Sequence, residues 1–182
     1  MRALTAALFL AACAPPAPPA ARAPEADAPV DLGAGSIRLT ETRAMDRAAL
    51  AGAMTQGEWI FWGSEPEVSA CFDTANAECI LAIQCDRPTG IVTLHYAYEL
   101  SPDQWTSFRI ITQTHVLDLP GRSVNDDGAP RVDAHLADGT YERQIVIDHL
   151  APAQERFAVD IWNDVQVFPW RSEIARALDA CR

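Results

Sequence analysis

Leu81-Ala82-Ile83-Gln84-Cys85-Asp86-Arg87-Pro88-Thr89-Gly90-Ile91-Val92-Thr93-Leu94-His95-Tyr96 decides the fold. Leu81, Ile83 and Cys85 recur at every second position, with Cys79 on the same face. Val92, Leu94, Tyr96 and Tyr98 do the same beyond Asp86-Arg87-Pro88-Thr89-Gly90. Successive side chains of a strand point to opposite faces, so both runs read as half-buried strands joined by a turn. Residues 59–62, 107–112, 115–119, 131–136, 157–162 and 165–168 repeat the pattern. They are short runs rich in β-branched and aromatic residues, separated by Gly, Pro, Asp and Asn. Asn163-Asp164 reads as the two-residue turn of the last pair, and Asn125-Asp126-Asp127-Gly128 as another hairpin turn.

Three helices are expected around these strands. Leu50 and Met54 share a face within 42–54, with Gly57 as a stop. Residues 141–150 fit a helical face through Tyr141, Ile145 and His149, although Ile145-Val146-Ile147 also suits a strand. The last helix starts at Ser172 as N-cap and aligns Ile174, Leu178 and Cys181 on one stripe. The expected architecture is mainly β: a small antiparallel β-sandwich or barrel, with the C-terminal helix packed on it.

The cysteines fit this plan. Cys71 and Cys79 flank a stretch whose Asp73, Thr74 and Asn76 suit a turn, so the two can face each other across a short connection. Cys85 on its strand then pairs with Cys181 on the helix stripe. Zinc is disfavoured, because seven and five residues separate the first three cysteines and no His is near.

Charge narrows the partners. The formal net charge is −11 and all 14 basic residues are Arg, so nucleic acid is not an expected partner. A basic envelope protein is compatible with such a surface.

Catalytic patterns are missing. Gly-x-Ser-x-Gly does not occur, and Ser-x-x-Lys cannot, for want of any Lys. His95, His115, His135 and His149 lie one to an element, with no His-Glu-x-x-His. Asp148-His149 is the one adjacent acid and imidazole, and such neighbours seldom face each other on a helix. Asn125–Gly128 lacks the alternating carboxylates and closing Glu of a calcium loop. Asp133, Asp138 and Glu142 read as a solvated acidic edge. No catalytic residue, metal or cofactor is therefore expected. Among the aromatics, Trp162 opposes Phe157, Val159 and Ile161 in strand alternation, which points it outward as the candidate binding residue.

The N-terminus supplies an address. Arg2, an apolar run over 3–10 and small residues before Cys13 make up a secretory signal peptide. Leu10-Ala11-Ala12-Cys13 resembles the lipobox of bacterial lipoproteins. That resemblance implies cleavage before Cys13, diacylglycerol on its sulfur, and acylation of the freed amine by a chain such as palmitate. Ala14 in place of Asp implies the outer membrane. The expected organisation is a signal peptide over 1–12, a lipidated Cys13 and Ala/Pro-rich tether over 13–36, and one β-rich domain over 37–182.

A second resemblance rests on a strand ending in Cys85-Asp86, on Arg156-Phe157-Ala158-Val159-Asp160, and on Pro169-Trp170-x-x-x-Ile174-Ala175-Arg176 closing with Cys181-Arg182. This combination is similar to a group of small exported alphaproteobacterial proteins that have no described activity. Equivalents of Cys85 and Cys181 form the usual pair in that group. The expectation for function is a non-enzymatic, outer-membrane-anchored, periplasm-facing lipoprotein that binds a protein or envelope component. The alternatives are an inhibitor of an envelope-attacking lysozyme or protease, and an unrecognised hydrolase. The blocks that mark lipoprotein lysozyme inhibitors are absent.

Overall fold

The computed structural model describes residues 37–77, 79–126, 129–136 and 140–182. The signal peptide, Cys13 and the tether lie outside the described residues. In chain order the elements are β1 (Arg38–Glu41), α1 (Ala44–Leu50), β2 (Glu58–Gly63), β3 (Glu67–Asp73), β4 (Leu81–Asp86), β5 (Ile91–Tyr96) and β6 (Trp105–Ile111). They continue with β7 (His115–Asp126), β8 (Ala129–His135), α2 (Thr140–Leu150), β9 (Arg156–Ile161), β10 (Asp164–Pro169) and α3 (Ser172–Asp179).

The strands form one antiparallel sheet in the order β10-β9-β6-β7-β8-β5-β4-β3-β2, with β1 on β7 where β8 has ended. The sheet curls into a half-barrel, one continuous layer rather than a sandwich. Its two edges approach each other: Trp59 Nε1 on β2 donates to the Pro169 carbonyl on β10 at 2.7 Å. Just before β2, the Thr55 amide donates to the Val167 carbonyl at 2.7 Å.

The period-2 pattern sets the concave face. Leu81, Ile83, Cys85, Val92, Leu94 and Tyr96 are all buried there. Phe72, Phe157 and Phe168 fill the interior between the facing walls, with Phe72 and Phe168 edge to face at 5.2 Å. Contacts of this kind add about 0.5–1.5 kcal/mol beyond area burial. Helix α3 lies over β2, β3 and β4, burying Ile174, Ala177 and Leu178. The Cys85–Cys181 disulfide ties its end to β4 across a Cα separation of 5.8 Å, and Cys71–Cys79 closes the shorter loop. Trp170 Nε1 donates to the Leu150 carbonyl at 2.9 Å, joining α2 to the start of α3.

On the convex face α1 covers Ile111, Val116, Ala158 and Val167 with Leu50. Asp46 of α1 reaches Arg109 at 3.0 Å, and Arg109 also holds Asp160. Both carboxylates are buried.

Several local expectations shift. Cys79 is exposed, at φ +51 and outside β4, so it does not share the Leu81 face. Ser172 is the first helical residue and Arg171 the N-cap, with no side-chain cap bond. Helix α1 already ends at Leu50. Gly57 answers instead to a close approach, since a Cβ there would lie 2.1 Å from the Asp73 carbonyl. Of the hairpin turn after Asn125, Asp127 and Gly128 lie outside the described residues, and Asp126 pairs with Ala129 across it.

Candidate functional site

Trp162 belongs to the turn, not to the strand. Ile161 pairs with Asp164, so the two-residue connection is Trp162-Asn163 rather than Asn163-Asp164. Their φ values are +55 and +64. Two consecutive positive φ values define the hairpin turn that favours Asn and Gly. Asn163 suits it, and Trp162 does not. A bulky side chain in the left-handed region costs about 1–2 kcal/mol, and strain of this sort clusters at functional sites. Trp162 is also 52% exposed.

The indole borders an open groove of about 740 Å³ at the mouth of the half-barrel. One wall is the 99–104 segment, with Glu99, Ser101 and Gln104. The other holds Asn125 of β7 and Pro130 of β8. The first wall is held from behind by β7. The buried Ser123 hydroxyl donates to the Ser101 carbonyl and accepts from the Gln104 backbone N–H at 2.8 Å. Arg122 donates to Asp103 at 2.7 Å, where the chain turns at φ +61. Tyr98 leads into the same wall and stacks on Tyr96 at 6.1 Å. Burial, then the Asp164 and Asp160 carboxylates, push its phenol up. The side chains of Glu99, Ser101, Gln104 and Asn125 make no hydrogen bond to another described residue.

The histidines and the acids beside them do not line this groove among the described residues. His95 Nδ1 lies 2.7 Å from Asp133 Oδ1, while its Nε2 lies 3.2 Å from Gln84 Oε1. Both ring nitrogens are thus engaged on the outer face of the sheet. Asp133 is buried rather than part of a solvated edge, and Arg131 Nε also reaches it at 2.9 Å. Burial works to raise its carboxyl pKa, but the hydrogen bonds and charges of His95 and Arg131 outweigh it and hold the group below the ordinary value.

Asp148 and His149 do not pair. Asp148 accepts from Gln144 at 2.6 Å, and the His149 ring lies 4.3 Å from that of His115. Burial and the His115 imidazole hold His149 below its ordinary value, with Asp148 pulling the other way. Among the described residues, Cys71, Asp73 and Cys79 are the one group with three potential metal ligands close together, and its two sulfurs are bonded to each other.

Sequence reading singles out Trp162, which the structure places half in solvent in the turn, and does not single out the 99–104 wall or the Ser123 clip behind it. The available signal is Ser101-Pro102-Asp103, a turn sequence between two strands, beside a long β7 that has to cross it. No protein-family model, curated protein or solved structure matches the chain.

Proposed function

We propose that this chain is an exported lipoprotein, held at the outer membrane by lipid on Cys13, whose β domain faces the periplasm. There it binds a protein or envelope component in the Trp162 groove without transforming it. The observation that carries this reading is Trp162 itself: a large aromatic placed in a backbone conformation that suits Asn or Gly, half in solvent, beside a groove with unused polar groups. Packing alone does not explain that choice.

The address rests on Leu10-Ala11-Ala12-Cys13, and the two disulfides agree with an oxidising compartment. A tether of Ala and Pro over 13–36 would lift the groove away from the lipid surface. The non-catalytic reading is supported by the engagement of both His95 nitrogens and by the separation of Asp148 from His149.

Cys13→Ser tests the anchor. A single acyl chain gives only marginal binding, at about 0.8 kcal/mol per buried methylene, whereas two or three anchor stably. The native protein should thus pass almost wholly into the detergent phase of a Triton X-114 extraction, and the variant into the aqueous phase or remain unprocessed. Identical partitioning of the two would refute the lipoprotein reading.

A further inference from the structure

We infer that the Trp162 groove is a carbohydrate seat, taking an uncharged glycan chain built of hexose or N-acetylhexosamine units; this rests on the binding-module reading above and names its ligand class. Three properties of the groove lead there.

The first is the pairing of an exposed indole with free amide and hydroxyl groups. Trp162 offers an apolar ring against which the C–H face of a sugar can lie. Gln104, Asn125 and Ser101 offer donors and acceptors that no other described residue uses. Sites for small ligands combine an apolar surface with a few placed polar groups, in volumes of about 300–1,000 Å³. The groove, at about 740 Å³, falls within that range.

The second property is charge. Glu99 is the only ionisable side chain lining the groove among the described residues, and no Arg lines it. A phosphate or an acidic glycan would find no counter-charge among the described lining residues. Among the described lining residues a basic peptide would find one carboxylate amid neutral groups, since Asp103 in the same wall is already paired with Arg122. Neutral amides and a hydroxyl are matched by sugar hydroxyls and N-acetyl groups.

The third is rigidity. Ser123 and Arg122 fix the 101–104 wall from the β7 side, so binding need not order that wall first.

The test titrates the isotope-labelled full chain in detergent micelles with tetra-N-acetylchitotetraose, cellotetraose and maltotetraose, and separately with a hexa-arginine peptide. Its readouts are the Trp162 indole N–H and the Gln104 and Asn125 side-chain amides. At least one oligosaccharide should shift all three signals. Trp162→Asn removes the indole yet suits positive φ, so it keeps the turn, and an unchanged backbone spectrum checks this. That variant should bind about tenfold or more weakly, the loss expected for a central aromatic contact. Trp162→Phe should retain most of the affinity.

Sugar shifts that survive Trp162→Asn unchanged would place the ligand elsewhere and overturn the inference. If the peptide moves these signals and no sugar does, the glycan class is wrong while the groove stands as a binding seat. If no probe moves them, the glycan class is again overturned, and the binding-module reading is judged separately by what the groove touches in cells.

Discussion

Cys181→Ala is expected to lower stability by about 2–5 kcal/mol, the range for removing a native disulfide from a small secreted domain. Cys71→Ala should cost less. The two bridges close loops of very different length, with sequence separations of 96 and 8. In the chain-entropy model these correspond to about 4.7 and 2.6 kcal/mol. Structure adds to the difference. Cys181 lies just beyond the helix that covers β2, β3 and β4, whereas Cys79 sits in an exposed loop. Urea denaturation of each variant, with the partner cysteine also replaced to avoid a free thiol, gives the comparison. An equal or larger loss at Cys71 would mean that α3 is held by packing alone.

Arg109→Ala should be of similar size, about 3–5 kcal/mol, because it removes the one cation shared by two buried carboxylates. Asp46 and Asp160 are both buried, and Arg109 joins them across the α1–sheet junction. Breaking a buried ion pair from one side leaves an uncompensated charge, which is far costlier than the net worth of the pair. The exposed Arg87–Glu65 pair is the natural control, and Arg87→Ala should cost no more than about 1 kcal/mol. Replacing Arg109, Asp46 and Asp160 together by apolar residues should recover most of the loss, since no buried charge then remains. A single Arg109→Ala effect no larger than that of Arg87→Ala would show the cluster to be solvated.

The parts of the fold that are legible in the sequence are those written in strong periodicity. Leu81 to Tyr96 alternates cleanly because one face packs inward, and Ile174 and Leu178 fall on a helical stripe for the same reason, with Cys181 just beyond the helix end. Elements with weak patterns escape. All four residues of β1 are exposed, so no alternation marks it. Strand β3 buries Ala70, Cys71 and Phe72 in succession, which breaks the period. Strand β7 runs on through Pro120 and Gly121, residues that read as a turn. Gly121 is there for space: a Cβ would lie 3.0 Å from Val132 Cγ1.

The candidate site was half legible. Trp162 stands out as an aromatic that alternation leaves unburied, yet Asn163-Asp164 is the more turn-like pair, and propensity alone shifts the register by one residue. The structure keeps Trp162 in the turn against that preference. The 99–104 wall and the His95–Asp133 pair depend on strands far apart in sequence meeting in the sheet. Asp133 meets His95 only because β8 pairs with β5, and local composition cannot report that.

The proposed meeting place of this domain and its envelope ligand is Trp162. The most direct measurement places photoreactive benzoylphenylalanine at position 162 in living cells and, as a control, at Met45, which is 70% exposed on the far side of the sheet. Irradiation should give a discrete envelope adduct from position 162 and none from position 45. No adduct from 162, or the same adducts from both positions, would show that the domain does not meet a ligand at Trp162.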